Sequence, residues 1–203
     1  MRAFAFVCAV FMKYLTVIRH AKSSWEQPGA SDHDRTLNER GRRAAPAVGR
    51  FLQATYFGGG GHAPLMPAPE RLVASTAERA LQTAQFMREA FHLPPSAMRL
   101  ESRLYLAPPS IVMDVVRDCE EEVRHLVVVG HNPGLHEFCD RILARASIPR
   151  MPTCAAVIVG LPHEYWGMAD WQEAQLIAYA TPKALERRFP VEYKGISKEI
   201  GDD

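Results

Sequence analysis

Leu126-Val127-Val128-Val129 limits the fold of this chain more than any other segment. A strand with one wet face alternates apolar and polar residues, whereas one covered on both faces does not. This run has no alternation, so it predicts a strand buried on both faces of a parallel sheet. Four further runs fit the same sheet: Leu15–Ile18, Arg71–Ala74, Ala155–Val159 and Leu176–Tyr179. Helical patterns lie between them. Asn38 caps the first, with Glu39 in its opening turn and Val48, Phe51, Leu52 and Thr55 on one face. Pro46 kinks that helix or marks the first turn of its main part. Ser75-Thr76 caps a helix from Ala77 to about Phe91, closed by Pro94-Pro95. Pro109-Ser110 opens a third, with Ile111, Val112, Val115 and Val116 inward. Asn132 caps a fourth, with Pro133 at its first position. Alternating strands and helices predict an α/β three-layer sandwich: a mainly parallel central sheet with helices on both faces.

The 203 residues suit one domain with a full core. Residues 1–11 are apolar, too short to span a bilayer and without a small-x-small cleavage site. They read as an appendage of no assigned role, and residues 12–203 as the single domain. Gly58–Gly61 opens a flexible surface loop that runs on to Pro69, a tolerated insertion. Lys and Arg number 24 against 23 Asp and Glu, so the charge balance calls for neither nucleic acid nor an anionic membrane. Cys8, Cys119, Cys139 and Cys154 form no CxxC pair and read as reduced thiols of a cytoplasmic protein.

Chemistry gathers where strands end. In open α/β sheets, ligands bind at the carboxyl edge. The first strand delivers Arg19 and His20 there. The second delivers Ser75, then Arg79 about one helical turn on. The Leu126–Val129 strand delivers His131. Two helices begin beside them and aim their N–H groups the same way. Two arginines, two histidines and two helix N-termini suit phosphate. A neutral His20 nitrogen can attack phosphorus to give a phosphohistidine, while Arg19, Arg79 and a protonated His131 hold the equatorial oxygens. Neighbouring cations keep His20 unprotonated. No metal or other cofactor is called for. GxGxxG, GxxxxGK, GxSxG and HExxH are absent. His62, His92, His125 and His163 read as surface residues, His33 as solvated or supporting, and the tryptophans as packing. Lys22 and Arg42-Arg43 read as solvated charges or as rim charges that steer phosphate.

Four ordered motifs carry a resemblance. They are Val17-Ile18-Arg19-His20-Ala21-Lys22-Ser23-Ser24-Trp25, Asp32-His33-Asp34-Arg35-Thr36-Leu37-Asn38-Glu39-Arg40-Gly41, Ser75-Thr76-Ala77-Glu78-Arg79-Ala80-Leu81-Gln82-Thr83-Ala84 and Val129-Gly130-His131-Asn132-Pro133-Gly134. Together they resemble the histidine phosphatase (phosphoglycerate mutase-like) superfamily in its SixA-like phosphohistidine phosphatase branch, and Thr181-Pro182-Lys183 resembles that branch's closing segment. The resemblance makes His20 the phosphorylated nucleophile beside Arg19, Arg79 the second phosphate arginine and His131 the second histidine. It adds Arg35 beside the phosphate and a contact from Asn132. Ala21, Thr36 and Thr76 depart from residues frequent in the superfamily, and none of these changes removes a phosphate ligand. The usual general acid has no clear match. Glu101, one residue out of register, and Asp34 are its candidates. The chain thus reads as a metal-independent phosphatase acting through phospho-His20. Protein phosphohistidine is the preferred substrate, with a histidine-phosphotransfer domain as one such partner. Small phosphoesters or phosphoanhydrides, and a non-catalytic phosphate-binding module, are the alternatives. With little chain left between Arg79 and His131 for a lid, the pocket reads as open.

Overall fold

The computed structural model describes residues 12–24, 29, 31–58 and 60–188. The expected roles of residues 1–11, Trp25 and Cys8 lie outside them. The described strands are β1 (Lys13–Arg19), β2 (Arg71–Ala74), β3 (Met98–Leu100), β4 (His125–Gly130), β5 (Ala156–Leu161) and β6 (Gln175–Ala180). The helices are α1 (Glu39–Tyr56), α2 (Glu78–Ala90), α3 (Pro109–Arg117), α4 (Gly134–Ile142) and α5 (Pro182–Arg188). The strands form one six-stranded sheet in the order β3-β2-β4-β1-β5-β6.

β4 lies between β2 and β1 and is parallel to both. Its side chains alternate between two cores. Leu126 and Val128 join α3 and α4 through Val112, Val115, Val116, Leu135 and Phe138. Val127 and Val129 join α1 and α2 through Val48, Leu52, Ala80, Ala84 and Met87. Apolar cover on both faces is why this strand carries no alternation. Full burial of each such side chain stabilises the fold by roughly 1.5–3 kcal/mol.

The sheet is mixed, which corrects the mainly parallel reading. β3, β2, β4 and β1 are parallel, but β5 runs antiparallel to β1, and β6 antiparallel to β5. The cause is the route after α4. Residues 143–155 bring the chain to the carboxyl end of β1, where the Cys154 N–H reaches the carbonyls of Arg19 and His20 at 3.1 Å. A strand starting there must run back down β1. An apolar run reads the same in either direction, so its sequence does not show this.

Three local expectations also change. Ala77, not Ser75-Thr76, stands at the N-cap of α2, and the Ser75 hydroxyl accepts the Ala77 N–H at 3.3 Å. Pro133, not Asn132, stands at the N-cap of α4. His125 is fully buried rather than at the surface, with its ring nitrogens 2.8 Å from Thr16 Oγ1 and 2.7 Å from the Pro67 carbonyl. The Asn38 cap is as expected: its Oδ1 accepts the Gly41 N–H at 3.0 Å. α1 continues through Pro46.

Two glycines bring helices against loops at the carboxyl edge. A Cβ on Gly41 would sit 2.1 Å from the Lys22 carbonyl oxygen, and one on Gly134 would sit 1.8 Å from that of Ala107. Both are closer than any side chain tolerates, so these backbones approach only because glycine is there.

Candidate active site

Parallel pairing of β1, β4 and β2 brings three strand ends together. The His20 N–H donates to the Gly130 carbonyl at 2.9 Å, and the Ser75 N–H to that of Val129 at 3.0 Å. These bonds extend the ladders by one step and fix where the three loops leave the sheet.

His20 is 8% exposed. Its Nδ1 donates to the Ala21 carbonyl at 2.8 Å, which in the neutral ring leaves Nε2 with a lone pair. Arg79 Nε donates to that Nε2 at 3.3 Å. α2 also holds the loop: the Ala21 N–H donates to Thr83 Oγ1 at 3.0 Å, and the Thr83 hydroxyl donates to the Arg79 carbonyl at 2.7 Å. One helix therefore orients both the imidazole and the guanidinium facing it. Burial lowers the His20 pKa to about 4, and Arg79, Arg19 and Arg35 push the same way against the Ala21 bond.

The His131 ring lies 5.0 Å from that of His20, and its Nε2 lies 2.8 Å from the Ser75 hydroxyl. Burial, His20 and Arg79 lower its pKa to about 3. Burial, with His20 and Arg79, thus favours a neutral His131 before substrate arrives, whereas the expected proton belongs to the phosphate-bound state. Where the Ser75 hydroxyl donates to Nε2, Nδ1 carries the proton of the neutral ring. His131 Nδ1 and Arg19 Nε are buried without a hydrogen-bond partner. Arg19 Nη1 and Asn132 Nδ2 both donate to the Met151 carbonyl, at 2.8 and 2.9 Å.

Asp32 is the residue that sequence reasoning missed. Its Oδ2 accepts from Arg79 Nη2 at 2.9 Å and from the Tyr105 hydroxyl at 2.9 Å, and its Oδ1 accepts from Arg35 Nη1 at 2.8 Å. Arg79 Nη1 also donates to the Asp32 carbonyl. Partial burial raises the Asp32 pKa, but hydrogen bonds from Tyr105, Arg35 and Arg79 outweigh it and hold the group at about 2. Arg35 further donates to Ser23 Oγ at 2.7 Å and to the Ser24 carbonyl at 2.9 Å. The spacing of Asp32 and Arg35, three residues apart, was the one available signal. Tyr105 had none: it reaches the site through the fold, its ring edge-on to His131 at 5.6 Å and to His33 at 5.0 Å.

The two expected acids lie apart from this cluster. The Glu101 carboxylate binds the Arg103 backbone and guanidinium at 3.0–3.1 Å, and these hydrogen bonds lower its pKa. The exposed Asp34 carboxylate accepts from Ser31 at 2.7 Å and lies 3.4 Å from His33, which lowers its pKa likewise. Among the described residues, no three His, Cys, Asp or Glu side chains cluster to hold a metal ion, and no helix is long and apolar enough to cross a membrane.

The chain is similar to known proteins in sequence and in fold. A profile of the histidine phosphatase superfamily (branch 1) matches residues 15–101. The uncharacterized protein Rv1276c of Mycobacterium tuberculosis is 36% identical over 175 residues, which cover 82% of this chain and 100% of that one. Among solved structures, the protein histidine phosphatase SixA complexed with tungstate superposes with a TM-score of 0.67 at 20% identity, over 85% of this chain and 99% of that one. The mycobacterial glucosyl-3-phosphoglycerate phosphatase Rv2419c complexed with VO3 superposes with a TM-score of 0.59 at 16% identity, over 82% and 98%. At such identities these two structures share the fold.

Proposed function

Because the chain belongs to the histidine phosphatase superfamily (branch 1), we propose that it is a phosphatase of the SixA-like kind that takes the phosphoryl group onto His20 and hydrolyses protein phosphohistidine. One observation carries this reading. His20 Nε2 is an unprotonated ring nitrogen in a buried site, and its lone pair accepts from a guanidinium on a helix fixed to the same loop. A phosphate-binding module needs the arginines but not an oriented, unprotonated imidazole.

In the proposed reaction the His20 Nε2 lone pair attacks phosphorus, and the bond to the leaving nitrogen breaks with its electron pair. That nitrogen takes a proton from solvent. Water then attacks phospho-His20, releasing inorganic phosphate and restoring the imidazole. Arg79, Arg35, Arg19 Nε and His131 Nδ1 supply donors for the equatorial oxygens, where charge spreads in the transition state. Asp32 is the site's own anion, and the incoming phosphoryl group takes Arg79 and Arg35 from it. No protein metal ligand enters these steps.

The substrate preference rests on the leaving group. A phosphohistidine nitrogen is basic and protonates easily, whereas an alkoxide needs a placed acid. Glu101 and Asp34 make no described contact with His20 or His131. Turnover against phosphohistidine peptide, phosphoserine peptide and sugar phosphates tests the proposal. The expected result is the highest kcat/KM on phosphohistidine. Preference for sugar phosphates would overturn the substrate class, and no turnover on any of them would overturn the phosphatase reading.

A further inference from the structure

A cavity of about 520 Å³ lies beside the phosphoryl site. Five cationic side chains line it, Lys22, Arg40, Arg43, Arg150 and Lys183, against one carboxylate, Glu186. The whole chain balances 24 Lys and Arg with 23 Asp and Glu, so this concentration is local. The charges come from separate segments: the loop after β1, the first turns of α1, the segment before β5, and α5. Arg43 pairs with Glu39 at 2.7 Å. Lys22, Arg40, Arg150 and Lys183 have no ion pair among the described residues, and neither does Glu186.

Segments that line the cavity also carry or hold residues of the phosphoryl site. Lys22 follows His20 by two residues. Arg150 precedes Met151, whose carbonyl receives Arg19 and Asn132. Thr153 precedes Cys154, whose N–H binds the Arg19 and His20 carbonyls. The Thr181-Pro182-Lys183 segment, which no step of the phosphoryl transfer uses, forms part of the lining. Like charges around a concave wall raise the local potential and draw an anion.

We propose that this cavity is a second anion subsite, which takes a carboxylate or phosphate group carried by the same molecule whose phosphoryl group reaches His20. The proposal rests on the phosphatase reading for its substrate, but not for its ligand chemistry. A carboxylate from an acidic residue beside a phosphohistidine and a second phosphate on a small molecule share that chemistry.

The full-length protein tests it with matched substrates: p-nitrophenyl phosphate, phosphohistidine peptides with neutral or with Asp- and Glu-rich flanks, and a sugar monophosphate against the corresponding bisphosphate. The variant is Arg40→Glu with Lys183→Glu, since both side chains are exposed and outside the His20 cluster. Wild-type enzyme should prefer one doubly anionic member, the acidic peptide or the bisphosphate, and the choice identifies the source. The variant should lose about tenfold in kcat/KM on that member, through KM, and keep p-nitrophenyl phosphate turnover. A second readout does not need turnover. Titration with the unphosphorylated acidic peptide and with sugar bisphosphate should shift the amide NMR signals of Lys22, Arg40 and Lys183, and the variant should abolish the shifts. Shifts without turnover on any substrate would retain the subsite and overturn the phosphatase reading. Turnover with no anion preference and no shifts would overturn the subsite alone.

Discussion

Two groups of cations meet at the carboxyl edge of the sheet, and they hold their charge differently. Around His20, Arg79 and Arg35 are buried and share the Asp32 carboxylate. In the adjoining cavity, Lys22, Arg40, Arg150 and Lys183 are exposed and have no paired carboxylate among the described residues. The first group must meet a transition state whose oxygens allow little error in position, so its side chains are clamped in advance. The second is suited to recognition, where long, solvated side chains adapt to an approaching anion. A desolvated arginine without a counter-charge would be costly, and Asp32 offsets that cost until phosphate arrives.

The comparison breaks first at Arg79. Arg79→Ala should lower kcat about 10²–10³-fold, with a far smaller change in KM, because the guanidinium meets its full charge only in the transition state. Steady-state kinetics check this; an unchanged kcat with a raised KM would place Arg79 with the recognition group.

Asp32→Asn sharpens the same contrast. Removing the competing charge frees the arginines for an external anion, so tungstate should inhibit at about tenfold lower concentration. Unchanged or weaker inhibition would mean that Asp32 positions the arginines without occupying them.

Protonation tests the buried group next. His20, held at about 4 by burial and by its arginine neighbours, should stay neutral through pH 6 and gain its proton only as pH falls through about 4. Nitrogen-15 NMR of the imidazole reads this directly. A midpoint near the usual histidine value would show that the site is wetter than the structure has it. The smallest effect expected is that of EDTA, which should leave activity unchanged; restoration of a chelated, inactive enzyme by a divalent cation would show that protein cations alone are not sufficient.

Strand positions were legible because β-branched runs and their boundaries are local features: β1, β2 and β4 fall where apolar patterning puts them. Arg19, His20, Ser75 and His131 could be brought to one edge on the parallel-sheet rule alone. β5 reverses because of a connection whose path no residue signals. β3, three residues long and paired along its length with β2, is too short to show periodicity. His125 reads as a boundary residue, yet the insertion before β2 folds over it and supplies the Pro67 carbonyl. Asp32 and Tyr105 lie far apart in the chain, and their meeting over Arg79 is a product of tertiary packing. The cavity was hinted at by Lys22 and Arg43, but Arg150 and Lys183 join them only in three dimensions.

The central claim is that His20 carries the phosphoryl group. Rapid acid-free quenching of enzyme mixed with phosphorus-32-labelled substrate, followed by mass spectrometry of the digest, tests it most directly. The account predicts a transient label on His20 that is stable to base, lost in acid, and absent from His20→Ala, a variant whose circular dichroism matches wild type and whose turnover falls roughly 10⁴-fold or more. A label on another residue, or wild-type turnover in His20→Ala, would contradict it.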